Sequence, residues 1–346
     1  MKKTLLFIAT LLASYVGMAQ ETYHPTAENL KAREQFQDEK FGIFLHWGLY
    51  SMMGTTEWIM TNRDINYKEY PKLAKTFYPS EFDADAWVKA IKAAGAKYIT
   101  ITTRHHDGFS LFKTATSSYN SVDGTPFKRD IIKEMADACQ RNGIKLHLYY
   151  SHLDWGREDY PVGRTGTGTG RPKEKANWAS YNKFMNTQLT ELLTNYGKVG
   201  AIWFDGWWDH DSDAKPFDWQ LEEQYAMIHK LQPQCLVANN HHHTPFPGED
   251  IQIFERDLPG ENKAGLSGQS IGRLPLESCQ TINEHWGYNI TDTLYKSPKE
   301  LIQMHDRAAG KNANLLLNIG PEPGGALPEL ALNRLQSIGE CLSQYG

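Results

Sequence analysis

Short apolar runs alternate along this chain with longer segments whose apolar positions recur every three or four residues. The short runs read as strands and the longer ones as amphipathic helices. "FGIFLHWG" (41–48), "KYITITT" (97–103), "KLHLYYS" (145–151), "KVGAIWFDG" (198–206) and "CLVANN" (235–240) are strand-like, as are "DIQIFE" (250–255), "ESCQTI" (277–282) and "ANLLLNIGP" (313–321). Helical spacing marks 83–96, 130–143, about 175–196, about 217–231, 297–311 and 327–344. Asp or Ser opens several of these helices, and a glycine closes one, as helix ends require. Eight strand candidates with helices between most of them imply a parallel sheet with right-handed crossovers. The count and length predict an α/β protein, a (β/α)8 TIM-like barrel.

A doubly wound open sheet is the competing architecture. Its nucleotide-binding forms lack support, because no GxGxxG follows the first strand and no GxxxxGK[ST] occurs. "GRTGTGTGRP" (163–172) has no strand before it and reads as a mobile surface loop. No internal repeat or linker divides the chain. The 346 residues carry a net charge of −5, which gives no hint of nucleic acid or of an anionic membrane surface. The start is different: "MKK", then "TLLFIATLLASYV", then "GMA" before Gln20 form the pattern of a secretory signal peptide. Residues 1–19 are expected to be a leader, 20–346 a single catalytic domain, and the protein exported to the periplasm or beyond the cell, with no membrane span in the mature chain. Cys139, Cys235, Cys279 and Cys341 are widely spaced; an exported protein could pair them, but they read equally as buried thiols.

In a barrel the C-terminal ends of the strands carry the chemistry. Here those ends offer His46 and Trp47; Arg104, His105, His106 and Asp107; Tyr150, His152, Asp154 and Trp155; Trp203, Asp205, Trp207 and Trp208. Later strands add Asn239, Asn240, His241, Glu255, Glu277, His285, Trp286, Tyr288 and Asn318. Burying so many polar groups unpaired would cost several kcal/mol each. A solvated pocket for a polar ligand avoids that cost. Indole faces beside neutral histidines and carboxylates suit a sugar, whose C–H faces stack and whose hydroxyls hydrogen-bond. A metal is not expected: there is no HEXXH, adjacent His105 and His106 diverge on an extended chain, and "HHH" (241–243) falls in a polar loop. No cofactor is expected either.

"FGIFLHWGLYSM", "YITITTRHHDGFSLF", "LYYSHLDW", "WFDG" and "WGYN", in that order, resemble the α-L-fucosidases of glycoside hydrolase family 29, from about residue 25 to the C-terminus. The resemblance implies a (β/α)8-like catalytic domain that releases terminal α-L-fucose from fucosylated oligosaccharides or glycoconjugates with retention. It implies Asp205 of "WFDG" as nucleophile and Glu255 as acid/base, with Glu277 of "LESCQTI" the rival. It also implies sugar contacts from His46, Glu57, Trp58, His105, His106, Tyr150, Trp203 and Trp286, the last against the C5 methyl. Two departures from the family pattern stand out. "NNHHH" replaces a frequent arginine after the fifth strand, leaving His241, His242 or Arg256 to serve. The C-terminal β-sandwich of many relatives is not expected after the last helix. Alternatives from other classes are a non-catalytic fucose-binding relative, a retaining glycosidase for another sugar, and a metal-dependent hydrolase. The leaving-group side is expected to involve the loops 156–175 and 256–275.

Overall fold

The computed structural model describes residues 23–345; the expected leader lies outside them. All eight expected strands form. They are β1 (Phe41–Leu45), β2 (Tyr98–Arg104), β3 (Lys145–Ser151), β4 (Ala201–Asp205), β5 (Leu236–Asn239), β6 (Gln252–Glu255), β7 (Leu276–Thr281) and β8 (Ala313–Ile319). Every ladder is parallel, and the order β5-β4-β3-β2-β1-β8-β7-β6 wraps the sheet into a nearly closed barrel. Closure is incomplete between β5 and β6, which share only the Ala238–Ile251 bridge.

The helices follow local chemistry. α1 (Ala27–Glu39) and the short α2 (Ile59–Asn62) precede α3 (Ala84–Ala93), α4 (Ile131–Asn142), α5 (Trp178–Asn195), α6 (Leu221–Leu231), α7 (Pro298–Gly310) and α8 (Glu329–Tyr345). Asp83, Asp130 and Asn177 cap α3, α4 and α5 by accepting from backbone N–H groups. Ser297 and Glu300 form a reciprocal capping box on α7. Gly143 ends α4 at φ 67°, where a side chain would be strained. α1 was not expected, and its sequence explains why: only Asn29 and Phe36 are buried, so no apolar stripe announces it. Loops rather than helices join β5 to β6 and β6 to β7.

Side-chain parity divides the core. Phe44, Tyr98, Tyr149, Trp203, Ile253 and Leu316 fill the barrel interior, with Phe36 of α1 packed among them. The larger cluster, including Tyr150, Phe204 and Ile202, lies between strands and helices. The cysteines are unpaired, and Cys139, Cys235 and Cys279 are buried.

The Gly/Thr-rich segment differs from expectation. It is a packed strap, because the side chain and backbone of Asp209 hold it. Thr165 donates to the carboxylate of Asp209 from both N (2.8 Å) and Oγ1 (2.6 Å), and Arg164 N donates to the Asp209 carbonyl (2.9 Å). Farther along, Arg171 Nη1 donates to the carbonyls of Arg157 and Tyr160. Among the described residues no helix is long and apolar enough to cross a membrane.

Candidate active site

A cavity of about 230 Å³ opens at the C-terminal end of the barrel. Its walls include Phe44 and His46 from β1 and the turn after it, Glu57 and Trp58 from the following loop, and His105 after β2. Trp203 and Asp205 of β4, Trp208, Asn240, His242, Glu255 of β6, Cys279 of β7 and Trp286 complete the inner part. Arg164 of the strap and Leu266 of the 256–275 loop stand at the mouth. A larger cavity, about 590 Å³, lies at the opposite end beneath α1. It brings together Glu28, Glu39, lysines, glutamines and His147, and its end of the barrel is the one that usually serves stability.

Asp205 ends β4 and is fixed from several sides. Its Oδ2 accepts from Tyr149 OH at 3.0 Å, and its Oδ1 accepts from Gly206 N at 2.9 Å and Trp208 Nε1 at 3.1 Å. Gly206 supplies that N–H from a left-handed turn, φ 94°, with Leu153 side-chain atoms 3.0 Å from where a Cβ would stand. Burial, then the charge of Glu255, raise the Asp205 carboxyl to about 6. Glu255 Oε2 accepts from Asn240 Nδ2 at 2.7 Å and lies 2.9 Å from His242 Nε2. Burial alone would raise this carboxyl; the hydrogen bond and charge of His242, with Asn240 and Arg256, outweigh it and hold it below its usual range. Asn240 Nδ2 also lies 3.4 Å from Asp205 Oδ1, so a single amide nitrogen spans both carboxylates.

Burial favours the neutral form of two histidines that line the cavity. His46 is lowered to about 4, chiefly by burial. Asn318 Nδ2 donates to the carbonyl of Trp286 (2.7 Å), which turns Asn318 Oδ1 toward His46 Nδ1 at 2.6 Å. Nδ1 is therefore the donor, and His46 Nε2 is left as an acceptor. Burial also drives His105 well down; its ring stacks on Tyr149, centroids 5.4 Å apart. Glu57 Oε2 accepts from Gly287 N at 2.9 Å, and burial raises its carboxyl. Trp58 stacks on Trp208 at 5.5 Å.

Three expected site residues stand elsewhere. Tyr150 faces the helices, donating to Gln188 Oε1 at 2.7 Å. The β3–β4 register pairs Tyr149 with Trp203 and Ser151 with Asp205, so the inward tyrosine is Tyr149 and alternation sends Tyr150 outward. His106 lies behind Asp205, its Nε2 3.5 Å from Oδ2 and its Nδ1 on Ser151, and it does not line the cavity. The rival acid Glu277 is sealed inside the barrel, accepting from Tyr98 OH (2.7 Å) and Trp203 Nε1 (2.8 Å), and does not line the cavity either. Of the candidates for the arginine's place, His242 meets Glu255. His241 turns to Glu249, and Arg256 lies over the Trp286 ring with Nη2 on the Glu284 carbonyl. Sequence reasoning missed Tyr149 and Phe44 as inward residues; counting by twos back from Asp205 through the strand register would have found Tyr149. Among the described residues no group of three or more His, Cys, Asp or Glu is arranged to hold a metal.

Known proteins resemble this chain over most of its length. The α-L-fucosidase family model matches residues 10–346. Plasma α-L-fucosidase of Rattus norvegicus is 30% identical over 99% of this chain and 76% of its own length. A putative α-L-fucosidase of Caenorhabditis elegans is 29% identical over 95% of this chain and 69% of its own. Among solved structures, α-L-fucosidase isoenzyme 1 from Paenibacillus thiaminolyticus superposes with a TM-score of 0.80 at 37% identity, covering 91% of this chain and 77% of that one. The Lactobacillus casei α-L-fucosidase AlfC, a variant in complex with Fucα(1,6)GlcNAc, gives 0.76 at 29% identity over 91% and 98% of the two chains. With a matching barrel, a matching family model and a carboxylate pair at the expected rim, this chain belongs to the α-L-fucosidase family, glycoside hydrolase family 29.

Proposed function

We propose that the protein is an exported exo-α-L-fucosidase acting on fucosylated glycans by double displacement, with Asp205 as nucleophile and Glu255 as acid/base. The observation that carries this reading is the Asn240 bridge. An amide nitrogen 3.4 Å from one carboxylate oxygen and 2.7 Å from the other leaves those oxygens too close for the about 6.5–9.5 Å that inverting enzymes need for an intervening water. A retaining spacing of about 5 Å fits.

In the first step an Asp205 oxygen attacks the anomeric carbon. The C1–O bond breaks toward the leaving oxygen, which takes a proton from Glu255. In the second step water adds to C1 as Glu255 takes its proton, and the bond to Asp205 breaks. Tyr149, Gly206 and Trp208 aim Asp205 and keep it ionised above about pH 6. His46 Nε2 accepts from one sugar hydroxyl, and Glu57 and His105 supply further polar partners. Phe44 and Trp286 form an apolar corner suited to the C5 methyl, whose burial contributes about 0.8 kcal/mol. The cavity suits one terminal sugar ring, and Arg164 and Leu266 meet the leaving group. That the AlfC variant binds Fucα(1,6)GlcNAc supports a fucosyl-sugar substrate. The leader-like start of the chain supports export.

The test is intact mass and peptide mapping after incubation with 2-fluoro-fucosyl fluoride. One fluorofucosyl group on the Asp205 peptide is the expected result. An adduct elsewhere would reassign the nucleophile. No adduct on folded protein would favour a binding relative or another sugar.

A further inference from the structure

Glu255 faces the cavity as an acid without an evident proton of its own. Its Oε2 meets two nitrogens, Asn240 Nδ2 at 2.7 Å and His242 Nε2 at 2.9 Å, and such a pair of donors favours the ionised carboxylate. A carboxylate cannot protonate a leaving group, so the proton has to come from beside it. Of these two donors, one can both hold a proton and give it up. Asn240 does not titrate, and the side chain of His242 does.

The loop after β5 is built to present this histidine. His242 sits in the left-handed region at φ 67°, uncommon for a residue other than glycine. Its neighbours are turned away. His243 N donates to His241 Nδ1 (3.0 Å), leaving His241 Nε2 to donate to Glu249, while His241 packs on Phe246. Phe246 N in turn donates to Glu249 Oε2, closing the loop. Thus two of three consecutive histidines anchor the segment, and the middle one reaches Glu255.

We propose that His242 and Glu255 work as one proton-holding pair, with His242 the store from which Glu255 is protonated as the leaving group departs; this rests on the reading of Glu255 as acid/base. In the first step the Nε2 proton of His242 passes to Glu255, and a Glu255 proton passes to the leaving oxygen, which receives the C1–O electron pair. His242 ends neutral. In the second step the attacking water gives its proton to Glu255, the resulting hydroxyl bonds to C1 as the C1–Asp205 bond breaks and its electron pair returns to the carboxylate, and the pair regains the proton on His242. No other reactant is needed.

The surroundings suit this role. Burial opposes charge on His242, but the hydrogen bond and charge of Glu255, then the charge of Asp205 across the cavity, raise it above an ordinary histidine. Arg164 from the strap opposes the charge, His241 and His243 flank it in the loop, and Arg256 beside Glu255 favours the carboxylate. A guanidinium at this position would hold Glu255 ionised without ever yielding a proton.

The experiment is a set of kcat/KM–pH profiles for the wild type, His242→Gln and Glu255→Ala, each on 4-nitrophenyl fucoside and on a fucosyl disaccharide. A glutamine keeps an N–H for Glu255 and cannot store a proton. On the disaccharide, His242→Gln is expected to move the alkaline limb at least about one pH unit lower. Its loss should be about tenfold or more near pH 7.5 and smaller near pH 5. The aryl substrate, whose leaving group needs little acid help, should lose much less. An equal loss at every pH with the alkaline limb unmoved would overturn the proposal. A second measurement needs no change at His242: its imidazole titration, followed by NMR, should fall by about one unit or more in Glu255→Gln. An unchanged titration would show the two groups uncoupled and end the proposal. If Glu255→Ala instead keeps disaccharide activity, the acid/base assignment itself is wrong and the pair falls with it.

Discussion

At the scale of single residues, the Asp205 carboxylate lies between opposing influences. Burial and the Glu255 charge push it toward the neutral acid, while Tyr149 and Trp208 stabilise the anion, leaving it at about 6. An attacking carboxylate must be ionised, so kcat/KM should fall as pH drops through about 6. Tyr149→Phe removes a donor to the charged form. It should raise the carboxyl further, move the acid limb to higher pH and lower kcat/KM about tenfold or more, the scale of a hydrogen bond to a charged group. Tyr150→Phe, one position along, is the control. It loses a buried bond to Gln188 and should cost about 1 kcal/mol of stability with the acid limb unmoved. Should the second variant shift the limb and the first leave it alone, the inward face of β3 has been misassigned.

At the scale of elements, Glu277 shows how strands brace the site from within. Standing on β7, it accepts from Tyr98 of β2 and Trp203 of β4, so one carboxyl joins three strands across the barrel. Burial raises it to about 7, against the two hydrogen bonds that lower it. The folded state thus keeps a proton that the unfolded chain releases at ordinary carboxylate pH. Stability contributed by this group is greatest in acid and declines as pH rises from about 4.5 to about 7, by on the order of 3 kcal/mol. Glu277→Gln can be accommodated, because Trp203 can donate to the amide oxygen while the Tyr98 hydroxyl turns to accept from the amide nitrogen. Denaturant unfolding across that pH range should show a flatter profile for the variant. Disaccharide hydrolysis should survive the change; its loss by orders of magnitude would restore Glu277 as the acid.

At the scale of the whole molecule, the barrel depends on a single acid at its seam. Between β5 and β6 the ladder is nearly absent, and Asp250 takes its place. Asp250 N donates to the Val237 carbonyl (2.7 Å), its Oδ2 accepts from Val237 N (2.7 Å) and meets His229 at 2.8 Å, and its Oδ1 accepts from Arg33 of α1. The seam, α1 and α6 therefore meet at one buried carboxylate. Asp250→Ala should cost on the order of 3 kcal/mol, read as a lower urea midpoint, by leaving Arg33 and the Val237 N–H unpaired. An unchanged midpoint would mean that the seam is held elsewhere. Much of this architecture was legible in the chain. Short apolar runs alternating with capped amphipathic segments sufficed for eight strands and six helices, since local period and end chemistry are written in neighbouring residues. The motifs around Asp205 and Glu255 were legible for the same reason. α1 escaped because its helix buries little apolar surface, and the strap because its order comes from Asp209, some forty residues away. Which tyrosine meets Asp205, which glutamate is sealed inside and which of three histidines meets Glu255 were decided by tertiary structure alone. Each depends on strand register and loop closure, which bring together residues that no local pattern relates.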